Sequence, residues 1–310
     1  LNYLKIISSN NQLHKLMPIL RKFKVITIQN SISEIQKNPN IINTININSH
    51  MFYDCTLLTR IALPPTVTHI DDFAFANCSS LVEIIFENPK SISSIGKNAF
   101  EKCSSLINFI IPSSITKIEE STFNGCFALI NLTIPSSVES IGKSAFKGCS
   151  SLTQLLIPSS VKTIDELAFS ECSSLIKLSI PSSVESIGKS AFNNCLSLKE
   201  IEISSSISLI DQYTFNGCIS LTHITIPSSV LSIGQYAFNK CVSLTHIEIP
   251  STVSSIGKGA FSECSSLLKF IIPSNLKAIE ESSFYECSSL SEITIHSSIL
   301  SIGDNAFNGC

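Results

Sequence analysis

The sequence predicts a repeat solenoid of stacked parallel-strand rungs, and three periodic features predict it. Cysteine recurs at 55, 78, 103, 126, 149, 172, 195, 218, 241, 264, 287 and 310, so ten of the eleven intervals are 23 residues and one, Cys78 to Cys103, is 25. A Phe stands three residues before every one of these cysteines, from Phe52 to Phe307. A Leu stands three residues after each of the first eleven, from Leu58 to Leu290. Self-similarity at a fixed period of this size marks a repeat architecture.

The unit that opens at Cys149 displays each element in order. Leu155 and Ile157 alternate with Gln154 and Leu156, the period-2 pattern of a strand with one buried face. Pro158 ends that strand because it has no N–H to give to a ladder. Ser159-Ser160 supplies a turn, and Val161 and Ile164 point back inward from the far side. The stretch from Ala168-Phe169 to Cys172 is too short for a full helix and is expected to form a 3₁₀ or single helical turn. The 25-residue step carries its two extra residues around Asn88-Pro89-Lys90, as a small loop insertion.

One such unit cannot fold alone. Ordering a residue costs roughly 1.5 kcal/mol, and 23 of them outweigh the return from about seven inward apolar side chains. Stacking in register covers both faces of every rung and creates one continuous core. At a strand spacing of about 4.8 Å, eleven rungs would extend roughly 50 Å. A 46-residue alternation supports that register. Gly96-Lys97, Glu119-Glu120, Gly142-Lys143, Asp165-Glu166, Gly188-Lys189 and Asp211-Gln212 follow the inward Ile in turn, so charges one rung apart tend to attract rather than repel, a pattern that fades after Gln235.

Residues 1–50 read as a degenerate N-terminal repeat or cap with an insertion, and residues 51–310 as an array of about eleven 23-residue repeats. In the first segment Met17, Leu20, Phe23, Ile26, Ile28, Ile32 and Ile35 match the apolar positions of the unit, and an insertion around residues 38–48 accounts for the longer step to Cys55. The chain begins at Leu1 with no secretory signal and ends at Cys310 without a further strand, which suggests a missing start and a truncated, continued or covered end.

The consensus I-P-S-S-V-x-x-I-G-x-x-A-F-x-x-C-S-S-L-x-x-I, nearly intact over residues 180–201 and 226–247, closely resembles the BspA-like class of leucine-rich repeats. The resemblance covers residues 52–310. It implies a leucine-rich-repeat right-handed superhelix with a parallel concave β-sheet, the short turns lying on the convex side. It also implies a cell-surface or secreted adhesin that binds host or cell-surface proteins. No targeting signal is visible in the sequence, so a cytoplasmic location stands as the alternative.

Composition excludes several other functions. A net charge of −3 lacks the basic excess that phosphate binding demands, so nucleic acid is not an expected partner. No run of 18 apolar residues is present to span a membrane. Gly142-Lys143-Ser144 ends like a phosphate-binding loop, but Ser137 stands where its first Gly belongs. Serine fills repeating turns with no nucleophile elbow, so neither catalysis nor a cofactor is expected. The cysteines hold one place in every rung and read as buried free thiols rather than disulfides or metal ligands.

Information remains where the repeat is free to vary, two and four residues after the repeat Leu. These outward positions supply the candidate binding residues Ile85, Ile110, Leu156, Lys177, Glu200, Glu202, His223, His246 and Glu248. Ile85 and Ile110, with Leu156 two rungs on, read equally as a contact patch or as aliphatics suited to a β-face. His223 and His246, flanked by Glu200, Glu202 and Glu248, have the chemistry of a metal or pH-sensitive site, although a mixed polar sheet surface is the favoured reading. Asn77 and Asn131 fit the glycosylation pattern, which two sequons in so Ser-rich a chain do not make significant. The expected function is a non-catalytic module that binds a protein or glycoprotein ligand across the concave sheet. An intracellular protein-interaction scaffold, or a truncated copy from an expanded repeat family, stands as the alternative.

Overall fold

The computed structural model describes residues 3–7, 19, 21–29 and 45–310. It is a parallel-strand β-solenoid of stacked rungs, with almost no helix among these residues. They fall into two compact units, Leu1–Val138 with Ala145–Ser151, and Glu139–Ser144 with Leu152–Cys310.

In the first unit the strand face begins with Tyr3–Ile7, Val25–Gln29, Arg60–Leu63 and Glu83–Phe86, all parallel and in register. Val25 pairs with Arg60, a step of 35 residues that accommodates the insertion, and Arg60 pairs with Glu83 at the regular step of 23. Ile26 is fully buried in this ladder. Met17, Leu20, Ile32 and Ile35, which the repeat reading also placed inward, lie outside the described residues. Asn108–Ile110 pairs with Asn131–Thr133 further along the same unit.

In the second unit Lys177–Ser179, Glu200–Glu202 and His223–Thr225 form one ladder, and Lys269–Ile271 with Glu292–Thr294 another. Inward Leu178, Ile201 and Ile224 are buried, while the residues on either side of each are exposed. The alternation read from sequence therefore sorts the side chains as expected.

A second set of ladders lies behind the first, built on the Ile that follows the Val of each unit. Thr163–Ile164 pairs with Ser186–Ile187, and Leu209–Ile210, Ser232–Ile233 and Ser255–Ile256 pair in series. These strands are only two residues long. Period-2 reasoning has no purchase on so short an element.

The segment after this ladder corrects an expectation. Residues 165–172 form consecutive β-turns instead of a 3₁₀ or helical turn. The amides of Ala168, Ser170 and Cys172 close turns onto the carbonyls of Asp165, Leu167 and Phe169 (3.1–3.2 Å). Those of Leu167, Phe169 and Glu171 instead donate to Lys189, Ala191 and Asn193 of the next rung (2.7–3.0 Å). A helix directs its N–H groups back along its own chain and would leave the rungs unjoined here. Two of the three turns place left-handed backbone at their third position, and Leu167 (φ 59°) and Glu171 (φ 63°) adopt it without being glycine. A true 3₁₀ helix, Pro89–Ser91, occurs in the insertion that lengthens one step to 25 residues.

Phenylalanine fills the core as a stack. Phe169, Phe192 and Phe215 lie with ring centroids 5.6 Å apart and nearly parallel planes, and all are fully buried. Phe52, Phe75, Phe100, Phe123 and Phe146 repeat the arrangement in the first unit. The charge alternation is realised in the ion pairs Lys97–Glu120 (3.4 Å) and Lys143–Glu166 (2.9 Å), and beyond Gln235, where the sequence pattern fades, Lys258–Glu281 (2.9 Å) forms the same kind of pair. Its glycines have a steric cause, since a Cβ on Gly188 would lie 2.5 Å from the main-chain nitrogen of Glu166.

Candidate binding surface

Each rung's inward Leu, Ile and Phe lock the strand backbone, and the pleat then directs the alternate residues to solvent. Two outward columns result, two and four residues after the repeat Leu.

In the first unit the columns begin with the Arg60–Glu83 ion pair (2.7 Å) and are otherwise apolar and amide-rich. Ile110 is 71% exposed and Ile85 39%. Their strands are not joined as neighbours in one ladder: Ile85 pairs with Ala62, and Ile110 with Thr133. Between the two strands the amide of Ile107 reaches the carbonyl of Val82 at 3.4 Å. Asn131 Nδ2 donates to Asn108 Oδ1 (2.7 Å), while the other sequon asparagine, Asn77, donates to the hydroxyl of Tyr53 (3.1 Å). A third apolar column, Val82, Ile107 and Ile130, is also exposed. Sequence reading passed over it, although three successive rungs place aliphatics directly after the repeat Leu.

In the second unit the columns are charged. Leu156 is 80% exposed, on a segment tied to the next rung by the isolated Gln154–Lys177 bridge and by the Ile176 amide donating to the Thr153 carbonyl (3.0 Å). Lys177 Nζ pairs with Glu200 Oε2 at 3.0 Å, and that hydrogen bond holds the ammonium pKa above its usual value. Ser179 Oγ donates to Glu202 Oε2 (3.1 Å). His223 Nε2 faces the hydroxyl of Thr225 at 3.4 Å, and His246 Nε2 faces Glu248 Oε1 at 3.5 Å. Each imidazole thus engages a side chain two residues along its own rung. Among the described residues no group of three or more His, Cys, Asp or Glu is disposed to hold a metal ion, so the metal reading of the histidine pair gains nothing from the geometry.

The repeated cysteine has a different role, set by burial. Cys78 Sγ donates to the carbonyl of Phe52 (2.9 Å), and the same contact recurs from Cys195 to Phe169 and from Cys264 to Phe238 (both 3.2 Å). Burial pushes the Cys218 thiol up to about 12, so it stays protonated and supplies the donor. No disulfide joins the cysteines of the described residues.

The sequence profile of the BspA type leucine rich repeat region matches residues 21–153, 93–213, 119–241 and 185–310, which together run from 21 to the last residue. The chain belongs to the BspA-type leucine-rich-repeat family. A leucine rich cell surface protein from Faecalibacterium prausnitzii is 30% identical to this BspA-type chain, with a TM-score of 0.61 over 86% of this chain and 80% of that one. The pneumococcal vaccine antigen PcpA is 23% identical, with a TM-score of 0.55 over 85% of this chain and 65% of its own, a likeness of fold alone. A leucine-rich repeat protein from Bacteroides ovatus is 28% identical over 86% of this chain and 80% of its own, with a TM-score of 0.49. No curated protein matches the chain.

Proposed function

We propose that this BspA-type chain is a non-catalytic binding module of a surface or secreted adhesin-like protein, and that its strand face takes a protein or glycoprotein ligand. The carrying observation is the division of labour within the rung. Inward positions repeat Phe, Cys, Leu and Ile almost without change, whereas the outward strand positions run from Ile110 through Lys177 and Glu200 to His246. A scaffold that is uniform inside and variable on one presented face suits recognition of a large partner. The family's right-handed superhelix would set that face on the concave side. The described relative from F. prausnitzii is itself a cell surface protein, which supports a surface location for this chain. The proposal reads the segment ahead of the regular repeats as a degenerate repeat that caps the array.

Antibody labelling of intact, unpermeabilised cells tests the proposal directly. Labelling is expected without permeabilisation. Labelling that appears only after permeabilisation would overturn the surface reading and favour an intracellular scaffold.

A further inference from the structure

A cleft opens where the strand ladder of the second unit is interrupted. Up to His223–Thr225 the rungs are joined in register, and the amide of Thr222 reaches the carbonyl of Lys199 at 3.1 Å. The next rung keeps the sequence pattern, yet its residues 245–249 form no strand and send no main-chain hydrogen bond to residues 222–226. Behind the face the same two rungs stay joined, through Ser232–Ile233 with Ser255–Ile256 and through Phe238 stacked on Phe261 at 5.4 Å. The interruption is therefore confined to the strand face. It leaves a cleft of about 330 Å³ with His223, Thr225, His246 and Glu248 around it, Ile224 and Ile247 among its apolar lining, and Pro250 also bordering it.

We infer that this cleft seats a basic side chain, arginine above all, presented by the protein partner; the inference rests on the strand-face reading above. The apolar lining suits the methylene stem of such a side chain. Around it stand acceptors: the Glu248 carboxylate, the Thr225 hydroxyl and the main-chain carbonyls that the interrupted ladder leaves without a rung-to-rung donor. A planar guanidinium with five donors engages several such acceptors at once, which an ammonium does less well. Charge favours the same occupant. The nearby Lys177 is committed to Glu200 at 3.0 Å. Glu202 accepts from Ser179 and Glu248 faces His246, and no lysine or arginine among the described residues lies within ion-pair distance of either carboxylate. An anionic partner group in the cleft would meet the Glu248 carboxylate, which no lysine or arginine of the described residues pairs.

The test measures fluorescence anisotropy of a labelled Gly-Ser-Arg-Ser-Gly peptide and of its citrulline counterpart, which keeps the shape and loses the charge. Both peptides are titrated with the full chain, Glu248→Gln and the distant control Glu292→Gln. Saturable binding of the arginine peptide is expected, weakened about tenfold by citrulline and about tenfold by Glu248→Gln. Glu292→Gln should leave it unchanged, and the thermal melts of all three proteins should coincide. No saturable binding, equal binding of the two peptides, or full binding by Glu248→Gln overturns the inference. A partner captured by the chain then separates the two readings. Capture lost with Ile110→Asp but kept with Glu248→Gln overturns the cleft assignment alone, and capture indifferent to both overturns the strand-face reading with it.

Discussion

The thiol of Cys218 donates to the main-chain carbonyl of Phe192, 3.2 Å away in the preceding rung. That carbonyl also accepts the amide of Cys195 at 3.2 Å, so one oxygen serves a turn within its rung and a tie to the next. Cysteine suits the position because it is small, apolar enough for a fully buried site and still a weak donor. With its pKa pushed up to about 12 by burial, Cys218 should be inert to a thiolate-trapping reagent at pH 8 while the chain is folded, and should react fully in denaturant. Cys218→Ala removes both the bond and the sulfur's volume, at a cost of about 1–2 kcal/mol in urea unfolding. Rapid labelling of Cys218 in the native chain would contradict its placement.

Phe192→Ala should be far more costly. The ring lies between Phe169 and Phe215, 5.6 Å from each, and is fully buried. Its removal should cost about 3–5 kcal/mol through lost burial and an unfilled cavity. Repeat arrays need not unfold in one step, so hydrogen exchange is the better readout: protection should fall first in the rungs around 169–215. Gln154→Ala, at an exposed bridge position, should cost less than about 0.5 kcal/mol. Comparable losses at the two positions would contradict the assignment of inward and outward faces.

Sequence period alone placed Phe169, Cys172, Leu175 and Ile187 in the core, because burial repeats wherever the rung repeats. The turn ladder was not legible from it. Leu167 and Glu171 stand in left-handed backbone, a conformation that residue type signals only for glycine and asparagine. What fixes it is the tie to Lys189 and Asn193 in the next rung, a contact absent from any single unit. For the candidate surface, exposure of Ile110 and Leu156 followed from alternation. The interruption beside His246 did not, since residues 244–250 carry the same pattern as residues 221–227.

Gly259 and Tyr236 offer a prediction about coupling. Gly259 sits at φ +60°, and a Cβ there would fall 2.2 Å from Cε1 of Tyr236. The Tyr236 ring in turn stacks on Tyr213 at 5.3 Å. Gly259→Ala should therefore lose stability twice over, about 1 kcal/mol for left-handed backbone and more for the displaced ring. In a Tyr236→Ser background only the backbone contribution remains. A double-mutant cycle by thermal denaturation should show coupling of at least about 0.5 kcal/mol; additive losses would mean the ring escapes without cost.

The pair Lys143–Glu166 tests whether charge alternation helps to hold register. Their nitrogen and oxygen lie 2.9 Å apart across successive rungs, both side chains being about half exposed. Lys143→Glu sets like charges one rung apart, and Glu166→Lys does the same with the opposite sign. Each single change should cost less than about 1 kcal/mol in low salt, because exposed charges are well screened by water. The double exchange should restore most of that loss. Raising the ionic strength to about 1 M, where the screening length shrinks to about 3 Å, should shrink the single-variant losses. Losses that persist in high salt, or that the double exchange fails to repair, would assign the alternation to packing around glycines such as Gly188 instead of to charge.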